Sequence, residues 1–233
     1  MLYYQLCKTI LNSFYLWIWY NLSINLPRGV EMNLMIKNFK YKNQEYPLEI
    51  KWDIFKYEDL ALNIAQVRTW CKEGCTNYNN NGGCPPFSPT AVELLKNKEL
   101  ILLTCKINTD SIKGESWEVK NSLIENILRS FMDSLGYKIK DLYGIQFLSP
   151  GYCRGCNTCT IHSSCAMPAR RSYCITGTGI MLGDVIERLF NEKLQWYKEG
   201  SEPKYTMKIM GFISDNQSDT LSDKLLKIKD IVL

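Results

Sequence analysis

The sequence predicts an α/β fold, a single compact domain in which a mixed sheet is flanked by helices and carries two cysteine-rich loops. Segments with the two-residue apolar period of strands alternate with segments that have the period of helices, and this alternation is typical of layered α/β domains. Ten cysteines fall mostly into two crowded clusters that directly follow predicted elements. The composition, 45% hydrophobic and 12% aromatic, is that of an ordinary globular protein.

The first half of the chain predicts a strand, a helix and a loop. Residues 46–54 alternate between apolar and polar side chains, which indicates a half-buried strand. Apolar residues between 60 and 67 stand at helical spacing and predict a helix that leads into Cys71. Glycine, asparagine and proline dominate from there to Pro89, so this stretch is predicted to be a loop.

Strands and helices continue to alternate after the loop. Ser88 and Pro89 are predicted as the N-cap and first residue of a short helix that ends at Lys96. Gly136 is predicted to cap the C-terminus of a longer amphipathic helix. The remaining predicted elements are strands at residues 100–105, 143–147 and 205–214 and helices at residues 119–135, 182–190 and 221–232.

Charge and cysteine usage narrow the function classes. The chain has 28 lysines and arginines against 24 acidic residues, a formal charge of +4, and the charges are interspersed without an arginine-rich run. Nucleic-acid binding is therefore not expected. Thiols at two-residue gaps can rarely pair with one another without strain. The crowded cysteines are therefore predicted to be metal ligands in a reducing compartment, the cytoplasm.

The second cysteine cluster is the most specific motif. Cys153, Cys156 and Cys159 are separated by two residues each, and Cys165 follows after five, close to Pro168. Bacterial ferredoxins hold a four-iron cluster with a similar triple run, and their further cysteine beside a proline ligates the same or a neighbouring cluster. The four cysteines are thus the predicted cofactor-binding residues of a 4Fe–4S cluster. Zinc is the alternative metal, although structural zinc sites more often use two separate Cys-x2-Cys pairs.

The first cysteine cluster supplies three more candidate metal ligands, Cys71, Cys75 and Cys84, with three and eight residues between them. Neighbouring glycines allow the tight backbone that hydrogen bonds from amides to sulfur require. A second iron–sulfur cluster and a zinc loop closed by a distant cysteine are both open interpretations. The candidates for the fourth ligand are Cys105, Cys165, Cys174 and an exogenous ligand or substrate on an open iron.

Three segments, CKEGCTNY at 71–78, GCPPFSP at 83–89 and CRGCNTC at 153–159, resemble a family of predicted metal-binding proteins. This family is called domain of unknown function 2284 and is found mostly in anaerobic bacteria and archaea; the resemblance covers residues 45–215. It implies metal binding, without an established reaction, by Cys71, Cys75, Cys84, Cys153, Cys156, Cys159 and Cys165. Where the family usually has a Pro-Ser-Met-Glu-Ala-like stretch, this chain has residues 171–175, so Cys174 looks particular to this protein.

Residues 1–31 are predicted to lie outside the domain. They are rich in apolar residues, but polar side chains interrupt them, and they fall short of the ~20 continuous apolar residues of a membrane span. They also lack the order of a signal peptide. Residues 28–31 can be encoded by a purine-rich run like a bacterial ribosome-binding site. We therefore interpret residues 1–31 as a leader before a true start at Met32 or Met35, or as a disordered or apolar extension, and residues 32–233 as the single cysteine-rich metal-binding domain.

Three functions are consistent with these motifs. The first is a redox protein that carries one or two 4Fe–4S clusters and passes single electrons to a partner protein. The second is an enzyme in which an open iron of the three-cysteine cluster acts as a Lewis acid on a small substrate. The third is a zinc-stabilised binding module. No membrane partner is expected if residues 1–31 are not translated.

Overall fold

The computed structural model describes residues 33–114, 116–198 and 200–215. The predictions for residues 1–31 and for a helix at 221–232 lie outside these residues. The strands are β1 (Asn33–Tyr41), β2 (Gln44–Lys56), β3 (Lys98–Asn108), β4 (Phe147–Ser149), β5 (Tyr173–Cys174) and β6 (Tyr205–Asp215). The helices of this part of the chain are α1 (Ile64–Gly74), α2 (Ala91–Leu95), α3 (Trp117–Tyr143) and α4 (Leu182–Phe190). None of the helices in the described ranges is both long and apolar enough to cross a membrane.

The six strands form one mixed sheet in the order β1-β2-β3-β6-β4-β5, which confirms the predicted α/β fold. β3 pairs antiparallel with both β2 and β6, so that Leu103 stands between Trp52 and Met210. β4 pairs antiparallel with β6 and parallel with β5. Because β3 has a neighbour on each edge and is covered on both faces, its apolar run is buried almost throughout.

Helices cover both faces of the sheet. The long helix α3 packs its buried face, including Ile124 and Leu128, against one side of the central strands. On the other side, Phe55 of β2 meets Phe190 of α4 edge to face, with the ring centroids 5.7 Å apart. Phe55 and Trp52 point to opposite faces because they are three positions apart in a strand. Both faces of β2 are therefore covered by helices, and the sheet is the layer between them.

The ends of two helices differ from the prediction. α2 begins after Thr90, whose side chain and Glu93 form a capping box, rather than after Ser88. α3 continues through Gly136 and ends at Gly144, which adopts the left-handed conformation with φ 67°. Gly136 instead lies against Phe147, and a Cβ atom there would come within 2.6 Å of the ring. That glycine is thus required for close packing of helix on sheet.

Two further boundaries and one strand also differ from the prediction. Leu60 lies before α1, which begins after Asn63, because the Asn63 side chain accepts a hydrogen bond from the backbone of Gln66 and caps the helix. β4 begins only at Phe147, since the helix extends through Tyr143. The hairpin strand β1 was not predicted; it joins β2 through a two-residue turn in which Lys42 and Asn43 both have positive φ.

Candidate metal centres

The first cysteine loop, residues 75–90, connects α1 to α2. The last turns of α1 carry Cys71, and Cys75 follows at its C-cap, where its amide donates to the Cys71 carbonyl at 3.1 Å. Cys84 lies deeper, with only 3% of its surface exposed. Its amide donates to the Asn81 carbonyl at 2.9 Å, and its own carbonyl accepts from Ser88 at 3.0 Å. Cys71 is therefore held in the helix, Cys75 at its C-cap and Cys84 in a hydrogen-bonded turn.

The second cysteine loop, residues 150–172, connects β4 to β5 and contains all four cysteines of the triple-run motif. Cys153, Cys156, Cys159 and Cys165 are each partly buried and free of disulfides. Burial raises the pKa of the Cys156 thiol, and the neighbouring thiolates of the other three raise it further. The four predicted ligands thus lie on one loop, where their charges act on one another; we call them the second thiol group.

Hydrogen-bond donors surround the sulfur of Cys153. The amides of Gly155 and Ser172 donate to it at 3.4 and 3.5 Å, and the Tyr137 hydroxyl lies 3.8 Å away. Burial alone would raise the pKa of Cys153, but these donors favour the thiolate, so the pKa is lowered. This sulfur is therefore prepared to act as an anionic ligand.

The two cysteine loops contact each other through residues 81–83. The Gly82 amide donates to the Cys159 sulfur at 3.2 Å. The Asn81 carboxamide oxygen accepts from the amides of Gly83 and Cys153 at 2.9 and 3.0 Å, and its nitrogen donates to the Cys153 carbonyl at 3.1 Å. The guanidinium of Arg171, in the second loop, donates to the Gly82 carbonyl. Residues 81–83 of the first loop are thus hydrogen-bonded to the second loop.

Cys174 joins the cysteines of the first loop, although the family resemblance does not include it. Its amide donates to the Gly83 carbonyl at 2.8 Å, and interaction with the Cys84 thiol lowers the pKa of Cys174 to about 7. Burial, followed by the nearby thiolates of Cys174 and Cys75, raises the pKa of Cys71 to about 11. We call Cys71, Cys75, Cys84 and Cys174 the first thiol group.

The other two protein candidates for the fourth ligand of the first loop lie elsewhere. Cys105 is in β3 with none of its surface exposed, among apolar side chains of the core, and burial raises its pKa. Cys165 belongs with the second thiol group, where it acts on the pKa of Cys156. His162, the lone histidine of the sequence, packs edge-on to Phe87 with centroids 5.5 Å apart.

The donor set of both thiol groups fits a thiophilic metal or an iron–sulfur cluster. Each group offers four cysteines, and backbone amides already donate to the sulfurs of Cys153 and Cys159. Among the described residues, however, no set of three or more histidine, cysteine, aspartate or glutamate side chains stands ready to hold a metal ion. The thiols in each group are neighbours, but they do not converge on a single ion.

A cavity of about 820 Å³ opens beside the first thiol group. Trp70, directly before Cys71, and Thr176, two residues after Cys174, contribute to its wall. Trp196 forms another part of the wall and is 75% exposed. Cavities of this size with aromatic walls are suited to small organic molecules. The sequence motifs gave no sign of this cavity, because its walls come from distant segments.

Comparison with known proteins agrees with the chemistry of the thiol groups. Searches among curated proteins and solved structures found no match to this chain. A family profile described as "Predicted metal-binding protein (DUF2284)" matches residues 55–213, more than half of the chain and all eight cysteines of the two thiol groups. The chain therefore belongs to this family of predicted metal-binding proteins.

Proposed function

We propose that this metal-binding protein carries two 4Fe–4S clusters and passes single electrons to a redox partner protein. The second thiol group, Cys153, Cys156, Cys159 and Cys165, is proposed to hold one cluster. Cys71, Cys75 and Cys84 are proposed to hold the other. Such clusters supply one-electron redox chemistry over roughly −700 to +450 mV, depending on their surroundings. The observation that carries the proposal is the set of backbone amides that donate to cysteine sulfur.

The amide donors favour an iron–sulfur cluster because hydrogen bonds to sulfur raise its reduction potential. Gly82 and Gly155 each direct a backbone N–H at a cysteine sulfur. These donors stabilise the extra negative charge of the reduced state. The chain thus places hydrogen-bond donors where they would adjust the reduction potential of a bound cluster.

The spacing of the cysteines in the sequence also favours a cluster over zinc. Structural zinc sites more often use two separate Cys-x2-Cys pairs. Cys153, Cys156 and Cys159 instead form a triple run like that of bacterial ferredoxins.

Cations next to the loops support an anionic cofactor. Arg154 and Arg170 both belong to the second loop. Arg154 lies over the ring of Tyr152 and Arg170 over the ring of Tyr137, at 5.2 and 4.9 Å from the respective centroids. Arg171 reaches across to the first loop. Positive charge on both sides of the cysteines would lower the cost of holding a negative cluster.

The redox proposal requires reduced thiols, and it therefore places the protein in the cytoplasm with its partner. The cysteines of the described residues are all free. Their packing leaves them available as ligands rather than committed to disulfides. Free cysteines persist where the thiol–disulfide balance is reducing.

Metal analysis of anaerobically purified protein tests the proposal. We expect about eight iron and eight acid-labile sulfide per chain, with the brown absorbance of clusters and an electron paramagnetic resonance signal after reduction. Cys75→Ala and Cys156→Ala should each remove half of the iron. A colourless protein with stoichiometric zinc would overturn the proposal, and so would a chain without metal.

The cavity beside the first thiol group supports a second candidate function, an enzyme acting on a small substrate. Its wall includes Trp70 and Thr176, each close in sequence to a cysteine of that group. A substrate bound there would lie near the cluster. Cyanide serves as a probe of an open iron: a changed resonance signal from the first centre would favour the enzyme, and an unchanged signal would favour the electron carrier.

A further inference from the structure

The position of Cys174 is fixed by the sheet. It lies in the edge strand β5, where it pairs with Ser149 of β4 in parallel register. The next amide, that of Ile175, donates to the Ser149 carbonyl at 3.0 Å. The Ser149 hydroxyl also donates to the Tyr173 carbonyl at 3.3 Å. Backbone and side-chain hydrogen bonds on both sides of Cys174 thus hold its Cα in place.

The same residue is hydrogen-bonded to the first loop next to Cys84. Its amide donates to the carbonyl of Gly83 at 2.8 Å. A Cβ atom placed on Gly177 would lie 2.8 Å from Cδ of Pro85 and 3.5 Å from Cβ of Cys174. Pro85, which directly follows Cys84, and the side chain of Cys174 therefore both lie against Gly177.

Helix α1, which carries Cys71, is anchored to the segment that follows Cys174. The Asn63 amide donates to the Gly179 carbonyl at 3.0 Å, and the Met181 amide donates to the Ala61 carbonyl at 2.8 Å. Ile64 packs so closely on Gly179 that a Cβ atom there would come within 2.5 Å of it. All four cysteines of the first thiol group are therefore on segments tied together by backbone hydrogen bonds.

We infer that Cys174 is the fourth thiolate ligand of the first metal centre, together with Cys71, Cys75 and Cys84. This inference rests on the proposed function, because it assumes that the first thiol group holds metal. Among the described residues, position removes the other two candidates, since Cys105 is enclosed in the core and Cys165 belongs to the second thiol group.

Four protein thiolates complete the first centre and leave no iron open to a substrate. The neighbouring cavity then places any bound molecule beside a fully ligated cluster rather than on a metal ion. A molecule held there would exchange electrons with the centre across Trp70 or Thr176. Cys174 as a ligand thus favours the electron carrier over the Lewis-acid enzyme.

Cys174→Ala, made in the wild-type chain and in Cys156→Ala, tests the inference by iron and sulfide content. In the wild-type chain we expect loss of half of the iron. In Cys156→Ala, which lacks the second cluster, we expect loss of nearly all that remains. Cys105→Ala is the matched control, because it removes a buried thiol that is outside both groups. Full iron content in Cys174→Ala would overturn the ligand assignment alone.

If the Cys174→Ala variants fail to fold, differential alkylation of the wild-type chain tests the ligand assignment instead. With metal bound, Cys174 should resist iodoacetamide, and it should become reactive with Cys71, Cys75 and Cys84 when a chelator removes the metal. Equal reactivity of Cys174 before and after chelation would overturn the assignment. A chain that binds no metal would overturn both the inference and the proposed function. If the chain binds zinc in place of iron, the zinc content of the same variants tests the ligand assignment, and only the redox proposal is contradicted.

Discussion

The backbone amide of Gly82 donates a hydrogen bond to the sulfur of Cys159 at 3.2 Å. These residues are 77 positions apart, and they belong to different cysteine loops. This hydrogen bond joins the two cysteine loops. A substitution in one loop should therefore affect both thiol groups.

Gly83→Ala should disrupt both loops at once. A Cβ atom at position 83 would lie 2.5 Å from the Ser172 carbonyl oxygen and 2.7 Å from Cβ of Cys153, and the oxygen belongs to the backbone. We expect a loss of about 2–3 kcal/mol in the free energy of unfolding, from strain in a packed site. Urea unfolding followed by circular dichroism measures it. Iron content should fall at both centres.

Gly183→Ala is the control for this substitution. Gly183 lies in α4, and no heavy atom stands within 4 Å of the position that its Cβ would take. Alanine in a helix should leave stability unchanged or raise it by less than about 1 kcal/mol. Equal destabilisation by the two substitutions would contradict the argument from close packing.

Asn81→Ala should loosen the second thiol group from a position in the first loop. The carboxamide makes three hydrogen bonds, to the amides of Gly83 and Cys153 and to the Cys153 carbonyl, and the side chain is only 7% exposed. Leaving these groups without partners should cost about 2–3 kcal/mol of unfolding free energy. Thermal and urea unfolding of the metal-loaded chain measure the change.

Asn80→Ala provides the comparison at the neighbouring position. Asn80 is exposed and donates to the Thr76 carbonyl at 3.0 Å. Its removal should change the free energy of unfolding by no more than about 0.5 kcal/mol. If Asn80→Ala lowered stability as much as Asn81→Ala, the Asn81 network would not be the link between the loops.

The sequence predicted those elements whose pattern is set locally. The two-residue alternation of residues 46–54 and the helix Leu182–Phe190 were both confirmed, because side-chain period and burial agree there. Gly136 misled the prediction. A glycine at the end of an apolar helical pattern favours a C-cap. Here close contact with Phe147, a partner in another element, is the reason for the glycine.

The same difference between local and long-range contacts applies to the candidate site. Short spacings grouped Cys153, Cys156 and Cys159, and such spacings are visible in any linear sequence. The sequence left the fourth ligand of the first loop open among Cys105, Cys165, Cys174 and an exogenous ligand. Cys174 reaches the first loop through the pairing of β5 with β4 and a backbone hydrogen bond to Gly83. The spacing of the cysteines along the chain does not specify such long-range contacts.

Glu49→Gln should alter the pH dependence of stability. Burial raises the pKa of the Glu49 carboxyl group, but hydrogen bonds and charge attraction from Lys106 and Lys51 lower it by more. The pKa of Glu49 is therefore below the ordinary 4.5. A carboxyl group with a lowered pKa stabilises the fold above its unfolded value, and this contribution is lost as the pH falls through the folded value. The stability of the wild-type chain should therefore fall more steeply below about pH 4.5 than that of Glu49→Gln.

The comparison requires urea unfolding of both chains at several pH values between about 3 and 7. Taking the difference between them cancels the acid lability of any bound metal. Glu45→Gln, at the exposed start of β2, is the control and should follow the wild-type curve. A constant difference between wild type and Glu49→Gln over the whole range would contradict the prediction.

Removal of the metal should unfold the cysteine loops and spare the sheet. The loops at residues 75–90 and 150–172 contain little regular secondary structure, and without metal they lose the bonds that would join their cysteines. β3 is bonded to a strand on each edge and should keep its protection. Hydrogen exchange before and after chelation should show faster exchange in the loops. Uniform loss of protection that included β3 would show that the metal holds the whole domain.

Tyr137→Phe should lower the reduction potential of the second centre. The Tyr137 hydroxyl lies 3.8 Å from the Cys153 sulfur, and it also accepts a hydrogen bond from the Arg154 amide at 3.1 Å. Losing a donor to sulfur removes stabilisation of the reduced state. A hydrogen bond worth about 0.5–1.5 kcal/mol corresponds to a drop of roughly 20–60 mV for one electron.

A redox titration followed by electron paramagnetic resonance measures this potential while leaving the number of clusters as an independent readout. Tyr143→Phe, in the last turn of the same helix, is the control, because Tyr143 has no hydrogen bond to the described cysteines and should leave the potential unchanged. A wild-type potential in Tyr137→Phe with full iron content would show that the hydroxyl directs its proton to Ser172, 3.4 Å away, rather than to Cys153. A lower potential at constant iron would instead identify Tyr137 as a residue that tunes the centre through the Cys153 sulfur.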